Sequence, residues 1–283
     1  NTTGTNNVAV GENALANNTT ASENTAVGQN ALLTSTTAAA NIAIGHDAMR
    51  LTTTGSNNTA VGYDALRSNT TGANNVAIGI NALNGNTTGS YQVAIGRNAL
   101  LNSDGVDKNV AVGYNTLQAV TTGNNNIGIG YVAADAITTG SANTCIGSSA
   151  GSALTTASNN TIVGSDAGKN ATTGLVDSVL IGFQAGSSGT QGAYTVGVGY
   201  NALYNNTGNN NTGLGYNALF ANTSGANNTA VGLQALDANT TASDNTAIGL
   251  NAMTTNTVGT RNTSVGSGSL ASVNASDNVA VGY

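Results

Sequence analysis

A short apolar pattern recurs along the whole chain. A glycine stands at 11, 28, 45, 62, 79, 96, 113, 130, 147, 164, 182, 199, 215, 232, 249, 266 and 282, each time directly after Val, Ile or Leu. Three residues before each glycine stands Val, Ile or Thr. The step is 17 residues, broken only by 18 from 164 to 182 and by 16 from 199 to 215 and from 266 to 282. Two β-branched residues at i and i+2 share one face of a strand, and branching at Cβ favours the extended backbone. The residue between them is small in most units (Ala9, Ala26, Ala43, Ala60, Ala77, Gly128, Gly197), with Cys145, Ile162 and Leu180 as exceptions. Beyond the glycine come a polar residue, Ala and usually Leu or Met, as in Asn13-Ala14-Leu15 and Asn81-Ala82-Leu83. Thr-Thr-Gly turns follow, as at Thr53-Thr54-Gly55 and Thr70-Thr71-Gly72, whose glycine is expected to take a positive φ.

This period decides between repeat architectures. A repeat built from two helices needs about 33 residues or more, whereas 17 fit one β coil. The expected fold is all-β, a single β-solenoid (β-roll) of about seventeen 17-residue coils, continuous over residues 1–283 with no internal linker. At the ~4.8 Å spacing of paired strands the array would be a rod of roughly 80 Å. Val and Ile of the strand are expected to face the interior with the Leu or Met of each unit, in a core continuous from coil to coil. The Ala column is then left facing outward, as a close-approach surface.

Four residues before the glycine stands Asn7, Asn24, Asn41, Asn58, Asn75, Asn109, Asn126, Asn143, Asn160, Asn211, Asn228, Asn245, Asn262 or Asn278, replaced by Gln92, Ser178 and Thr195 in three units. An amide side chain both donates and accepts, so this column is expected to form an internal ladder between coils. Turn geometry alone would admit Asp and Gly too. Between 130 and 200 the coils are irregular. The Leu four after the glycine becomes Ala134, Gly151, Gly168 and Gly186, while Ile137 and Leu154 stand three residues further on, so the core side chain is expected to move around the coil.

Composition narrows the function. With 38 glycines, no proline or tryptophan, two phenylalanines, and only 12 acidic and six basic residues, the chain lacks the mixture of an ordinary globular enzyme. A net charge of -6 offers no electrostatic footprint for nucleic acid or an anionic membrane. No apolar run of ~20 residues is present for membrane insertion. The chain starts and stops inside its repeat, with no visible signal peptide or cap, and is read as a segment of a longer fibrous chain.

No catalytic, cofactor or metal site is expected. His46 takes a slot held elsewhere by Glu12, Gln29, Tyr63 or Ser148, with no triad or metal cluster to join. Cys145 stands in the small-residue column and reads as a packed residue. Asp104 and Asp107 flank a glycine without a repeated calcium signature and read as a solvated turn. Asp47 and Asp64 share one coil position and Arg50 and Arg67 another, predicting two stacked surface salt bridges of small energy. Asn-x-Thr sequons are numerous, as any Asn- and Thr-rich repeat makes them.

The units ENTAVGQNAL, NNTAVGYDAL and NNVAIGINAL resemble the head repeats of YadA-like trimeric autotransporter adhesins, and similar repeats occur in phage-type tail fibres. The likeness covers almost the whole chain, with a period of 17 residues against about 14 in the YadA head. It implies an extracellular or virion-borne fibre assembled as a parallel trimer. The intervening Ala column, taken as outward-facing, is consistent with three rods packed about an axis.

Two surface columns are candidates for recognition. Phe183, Tyr194, Tyr200, Tyr204, Tyr216 and Phe220 gather six aromatic rings within 38 residues, a patch suited to a glycan or a protein receptor. Threonines eight after the glycine (Thr19, Thr36, Thr53, Thr70, Thr87, Thr121, Thr138) raise ice binding as a minor alternative, but they run into a turn and are better read as hydroxyl ladders. The expected function is thus an adhesive or structural fibre shaft, a cell-surface adhesin or tail fibre. A self-assembling, end-to-end surface filament without a specific receptor is the alternative.

Overall fold

Three extended residues per coil are all the strand this sequence makes. The computed structural model describes residues 1–283 as two compact units, 1–142 and 143–283. The first carries eight strands, from β1 (Val8–Val10) to β8 (Ile127–Ile129), and the second nine, from β9 (Thr144–Ile146) to β17 (Val279–Val281). Neither contains a helix, so none is available to cross a membrane.

Within each unit a strand pairs in parallel with the next strand of the chain. In the first, Thr59, Ala60 and Val61 of β4 (Thr59–Val61) lie opposite Val76, Ala77 and Ile78 of β5 (Val76–Ile78). Parallel neighbours one short period apart, with no crossover helix, require the chain to make one full turn per repeat. Both units are therefore all-β parallel β-solenoids, as the period predicts. The 18-residue step leaves this pairing intact: Thr161 of β10 (Thr161–Val163) still faces Val179 of β11 (Val179–Ile181). The extra residue is absorbed outside the strand, where Asn160 reaches the Leu175 carbonyl fifteen residues on in place of fourteen.

The strand is turned the other way from the sequence expectation. Ala26, Ala43, Ala60 and Ala77 are wholly buried, while Ile42 and Ile44 on either side of Ala43 are 42% and 40% exposed. The small column faces in and the β-branched residues face out, because the interior is too narrow for both walls to be large. The strand's inner column lies directly against the Leu four after the glycine: a Cβ added at Gly128 would stand 2.9 Å from Leu117 Cγ. One large side chain fills the gap, and Leu66, Leu83 and Leu100 supply it from the turn.

In the second unit the large residue crosses to the strand. Ile162 and Leu180 are fully buried there, and Gly151, Gly168 and Gly186 take the place of Leu. A Cβ on Gly151 would meet Cys145 Sγ at 2.9 Å, Leu154 Cδ1 at 3.0 Å and Ile162 Cδ1 at 3.2 Å. Ile137 and Leu154 are fully buried, as expected of a core side chain moved around the coil, whereas the share supplied by Ile162 and Leu180 from the strand was not expected. The exchange also relieves backbone strain. Leu66 holds φ 51°, a left-handed conformation costing a branched residue about 1–2 kcal/mol, whereas Gly151 at φ 59° adopts it freely.

The Thr-Thr-Gly turn corrects a second expectation. Gly55 and Gly72 do not have positive φ; the left-handed positions of this coil are Asp64, Leu66 and Asn74, at 55°, 51° and 59°. Gly72 is required by close approach instead, since a Cβ there would lie 2.3 Å from the carbonyl oxygen of Gly89 in the next coil.

Candidate functional site

Within each unit, two asparagine columns tie one coil to the next. The fourteen predicted ladder residues fall in one column within each unit; Asn7 and Asn278 are half-buried and the other twelve are buried, as are Gln92, Ser178 and Thr195. Within each unit the Oδ1 typically accepts the backbone N–H of the next residue in the column, as in Asn58 N–H to Asn41 (2.9 Å) and Asn228 N–H to Asn211 (2.9 Å). The Nδ2 donates to a turn carbonyl fourteen residues on, Gly72 for Asn58 (2.9 Å) and Ala242 for Asn228 (2.9 Å). The bonds are mostly side chain to backbone, with amide-to-amide contacts such as Asn160 Nδ2 to Asn143 Oδ1 (2.9 Å) interspersed.

The second column escaped the sequence reading. Asn18, Asn69, Asn86, Asn222, Asn239 and Asn256, seven residues after the glycine, are also buried. They donate to the same turn carbonyls from the other side: Asn69 to Gly72 at 3.0 Å and Asn239 to Ala242 at 3.1 Å. The signal was the Asn that opens Asn-Thr-Thr-Gly, three before the turn glycine, which looks like loop composition until a buried carbonyl needs two donors. These columns are structural, and they place the outer surface.

That surface has one apolar side. Residues one and three before each glycine point outward from the strand, and no charged residue occurs at either position anywhere in the chain. In the second unit Ile181, Val196, Leu214 and Ile248 of this strand face are 37–45% exposed. The column just after the glycine adds Phe183, Tyr200, Tyr216, Leu233 and Leu250, all at least 43% exposed. Together these side chains expose on the order of 800 Å², above the ~300–600 Å² that a monomer ordinarily shows in one patch. The first unit repeats the face with Ile42, Ile44, Ile78, Ile95, Ile127 and Ile129.

The predicted aromatic patch separates into parts. Phe183, Tyr200 and Tyr216 form one ladder, with ring centroids 5.3 Å and 5.1 Å apart and planes within 21° and 7° of parallel. Tyr204 and Phe220 make a second, at 5.2 Å. Tyr194, 60% exposed, belongs to neither. Stacking covers ring faces with ring faces, so Tyr200 offers a ligand its edge and hydroxyl, and only the end rings keep an open face. The first unit has the same kind of stack in Tyr114–Tyr131 (5.4 Å) and His46–Tyr63 (4.9 Å).

The ionic cluster is tighter than the sequence implied. Arg50 reaches Asp47 at 3.4 Å and Arg67 reaches both Asp47 (3.4 Å) and Asp64 (3.7 Å), with the Asp47 side chain only 8% exposed. The two pairs are one partly buried network and not separate surface bridges. Burial pushes the Asp47 carboxyl up, but the Asn30 amide, His46, Arg50 and Arg67 outweigh it and hold the group below its ordinary value. His46, Asp47 and Asp64 bring ligand atoms within 4.8 Å of one another, a meeting that sequence spacing did not reveal. Two guanidinium groups already balance the two carboxylates, so the cluster fits an ion-pair network better than a dication.

The remaining sequence candidates are engaged inside the fold. Cys145 is buried in the inner strand column, with its thiol pushed up to about 12 by desolvation. Asp104 accepts from Thr87, and Asp107 accepts the Ser90 N–H at 2.7 Å, so both carboxylates cap the preceding coil. Threonine hydroxyls donate to the next coil's carbonyl, Thr70 to Thr87 at 2.9 Å and Thr223 to Thr240 at 2.9 Å. That column is a hydroxyl ladder whose protons are spent internally, which weighs against ice binding through it.

No protein-family model matches this chain, and no curated protein does.

Proposed function

We propose that the chain is the shaft of an extracellular fibre, a surface adhesin or tail fibre, whose copies pack side by side on their strand faces. The observation that carries this reading is the uncharged, exposed strand face on an otherwise polar solenoid. Parallel sheets are ordinarily covered on both sides, and here one side is left to water. Within each unit its aliphatic columns run from coil to coil, so a neighbouring copy can cover that unit's face with one repeated contact. The resemblance to YadA-like heads favours three parallel copies about an axis, with the β-branched face, and not the Ala column, toward it.

Replacing Ile78, 38% exposed on this face, with Lys is expected to reduce the assembly to single 27.6 kDa chains in sedimentation equilibrium. The far-UV circular dichroism should stay that of the parent, because the new side chain points to solvent. A parent chain that sediments as a monomer at high concentration would remove the packed shaft.

Attachment is assigned to side chains off the strand face, Tyr204 and Phe220 foremost. Their edges and end faces suit a sugar ring or a protein loop. Changing both to Ser should lower binding to a glycan array or target-cell surface at least about tenfold, a loss near 1.4 kcal/mol. The sedimentation mass should not change. Equal attachment by parent and variant would instead favour a filament with no specific receptor.

A further inference from the structure

The strand face has a property that complicates any packing of copies: it looks the same after every coil. Its outward columns hold Val, Ile, Leu or Thr throughout, and Thr and Val have nearly the same shape. Sliding one copy past another by one coil, ~4.8 Å, would bring equivalent residues back into contact. A face of this kind supplies adhesion without a unique axial register, as a flat repetitive strand does in its own sheet. A fibre in which each copy takes a different offset would be ragged.

The column after the glycine is different. In the second unit it reads Ser148, Ser165, Phe183, Tyr200, Tyr216, Leu233, Leu250, Ser267 and Tyr283: two small residues, three stacked rings, two aliphatic residues, a small one and a further ring outside the stack. The rings are 43–48% exposed and held parallel in a ladder, so they form a ridge of fixed shape bordered by a low serine step. This column and the strand face together carry no charge in this unit. Their exposed area, on the order of 800 Å², matches what one partner contributes to a standard interface. The occupant to which that area and neutrality point is a second copy of the chain.

We infer that the Phe183–Tyr200–Tyr216 ridge sets the axial register between copies, acting as a stop where the uniform strand face provides only adhesion. This rests on the packed-shaft reading and assigns it a specificity element. At the correct offset the ridge meets complementary low ground on its neighbour. One coil away a ring collides with a surface that does not fit it, and the register is selected by exclusion as much as by attraction.

The test reads register and association separately. In a Cys145→Ala background, single cysteines replace Thr212, Thr229, Thr246 or Thr263 on the strand face, and copies are co-expressed in pairs and oxidised to form direct disulfide cross-links, whose short ~2 Å bond favours facing positions over those one ~4.8 Å step away. The parent sequence is expected to cross-link each cysteine to one partner position only. With Phe183, Tyr200 and Tyr216 all changed to Ser, positions one coil to either side should cross-link with comparable yield, while the sedimentation mass remains that of the assembly. A control with Tyr200→Phe and Tyr216→Phe should keep the single pairing. An assembled triple-Ser variant with one unchanged pairing would overturn the register role and leave the shaft intact. A triple-Ser variant that falls to monomers would show that the ridge supplies affinity, which also overturns it. A monomeric parent, by contrast, would remove the underlying packing.

Discussion

Substitution of Gly62 by Ala is expected to open the coil and cost at least about 4 kcal/mol, near the upper limit for one residue. The methyl would lie 2.5 Å from the carbonyl oxygen of Gly79 and 2.7 Å from its carbon, atoms fixed by the next coil's own ladder. Gly62 also holds φ 141°, outside the range that an L side chain adopts. Its N–H donates to Ile44 and its neighbour Val61 accepts from Gly79, both at 2.8 Å, so the coil cannot shift without breaking bonds on two sides. Hydrogen exchange followed by mass spectrometry should show lost protection in the coils around β4 and β5, since a repeat array opens locally before it unfolds globally. Gly268→Ala is the control. It adds the same methyl into open space at φ 66° and should cost only about 1 kcal/mol. An equally small loss at Gly62 would mean that neither its coil-to-coil contact nor its φ makes the repeat glycine necessary.

Asn58→Ala is the second large effect expected, about 2–4 kcal/mol. Asn58 is 1% exposed and engages both neighbours: it donates to Gly72 and Asn41, and accepts the Asn75 N–H at 2.9 Å. Gly72 would retain the Asn69 donor, but the Asn75 amide would be left buried with no acceptor. Fast exchange of the Asn75 amide, with slower change beyond the adjacent coils, is the expected signature. Asn58→Asp should separate the two roles. It keeps the acceptor but buries a carboxylate against a carbonyl, so its carboxyl would titrate higher when folded than when unfolded. The stability of that variant should be greatest at acid pH and fall as pH rises through the folded value. A flat pH profile would mean that the carboxylate escapes to solvent and that the ladder position is not closed.

Much of this fold could be read along the chain because a solenoid converts sequence period directly into spatial neighbours. The 17-residue step placed every strand, and the pairing of Thr59 with Val76 is the same step written in hydrogen bonds. The Asn column four before the glycine was legible because only an amide bonds to the coils on both sides. The conserved volume of the irregular coils was legible in part: the loss of Leu at Gly151 and Gly168 was plain, but its replacement by Ile162 and Leu180 on the strand was not connected to it.

What the sequence could not decide is which side of the strand is inside. Alternation in Val76-Ala77-Ile78 distinguishes two faces without naming the core, and the habit of placing large aliphatic residues inward named the wrong one. The answer depends on the opposite wall, five and six residues after Ala77 in the same coil, where Ala82 and Leu83 already fill a space too narrow for a second large side chain. By itself, then, the sequence determined the period, the all-β coil and the main ladder, all consequences of stacking identical units. The distance across each coil, a property of the closed turn, decided what is core and left the aliphatic face outside.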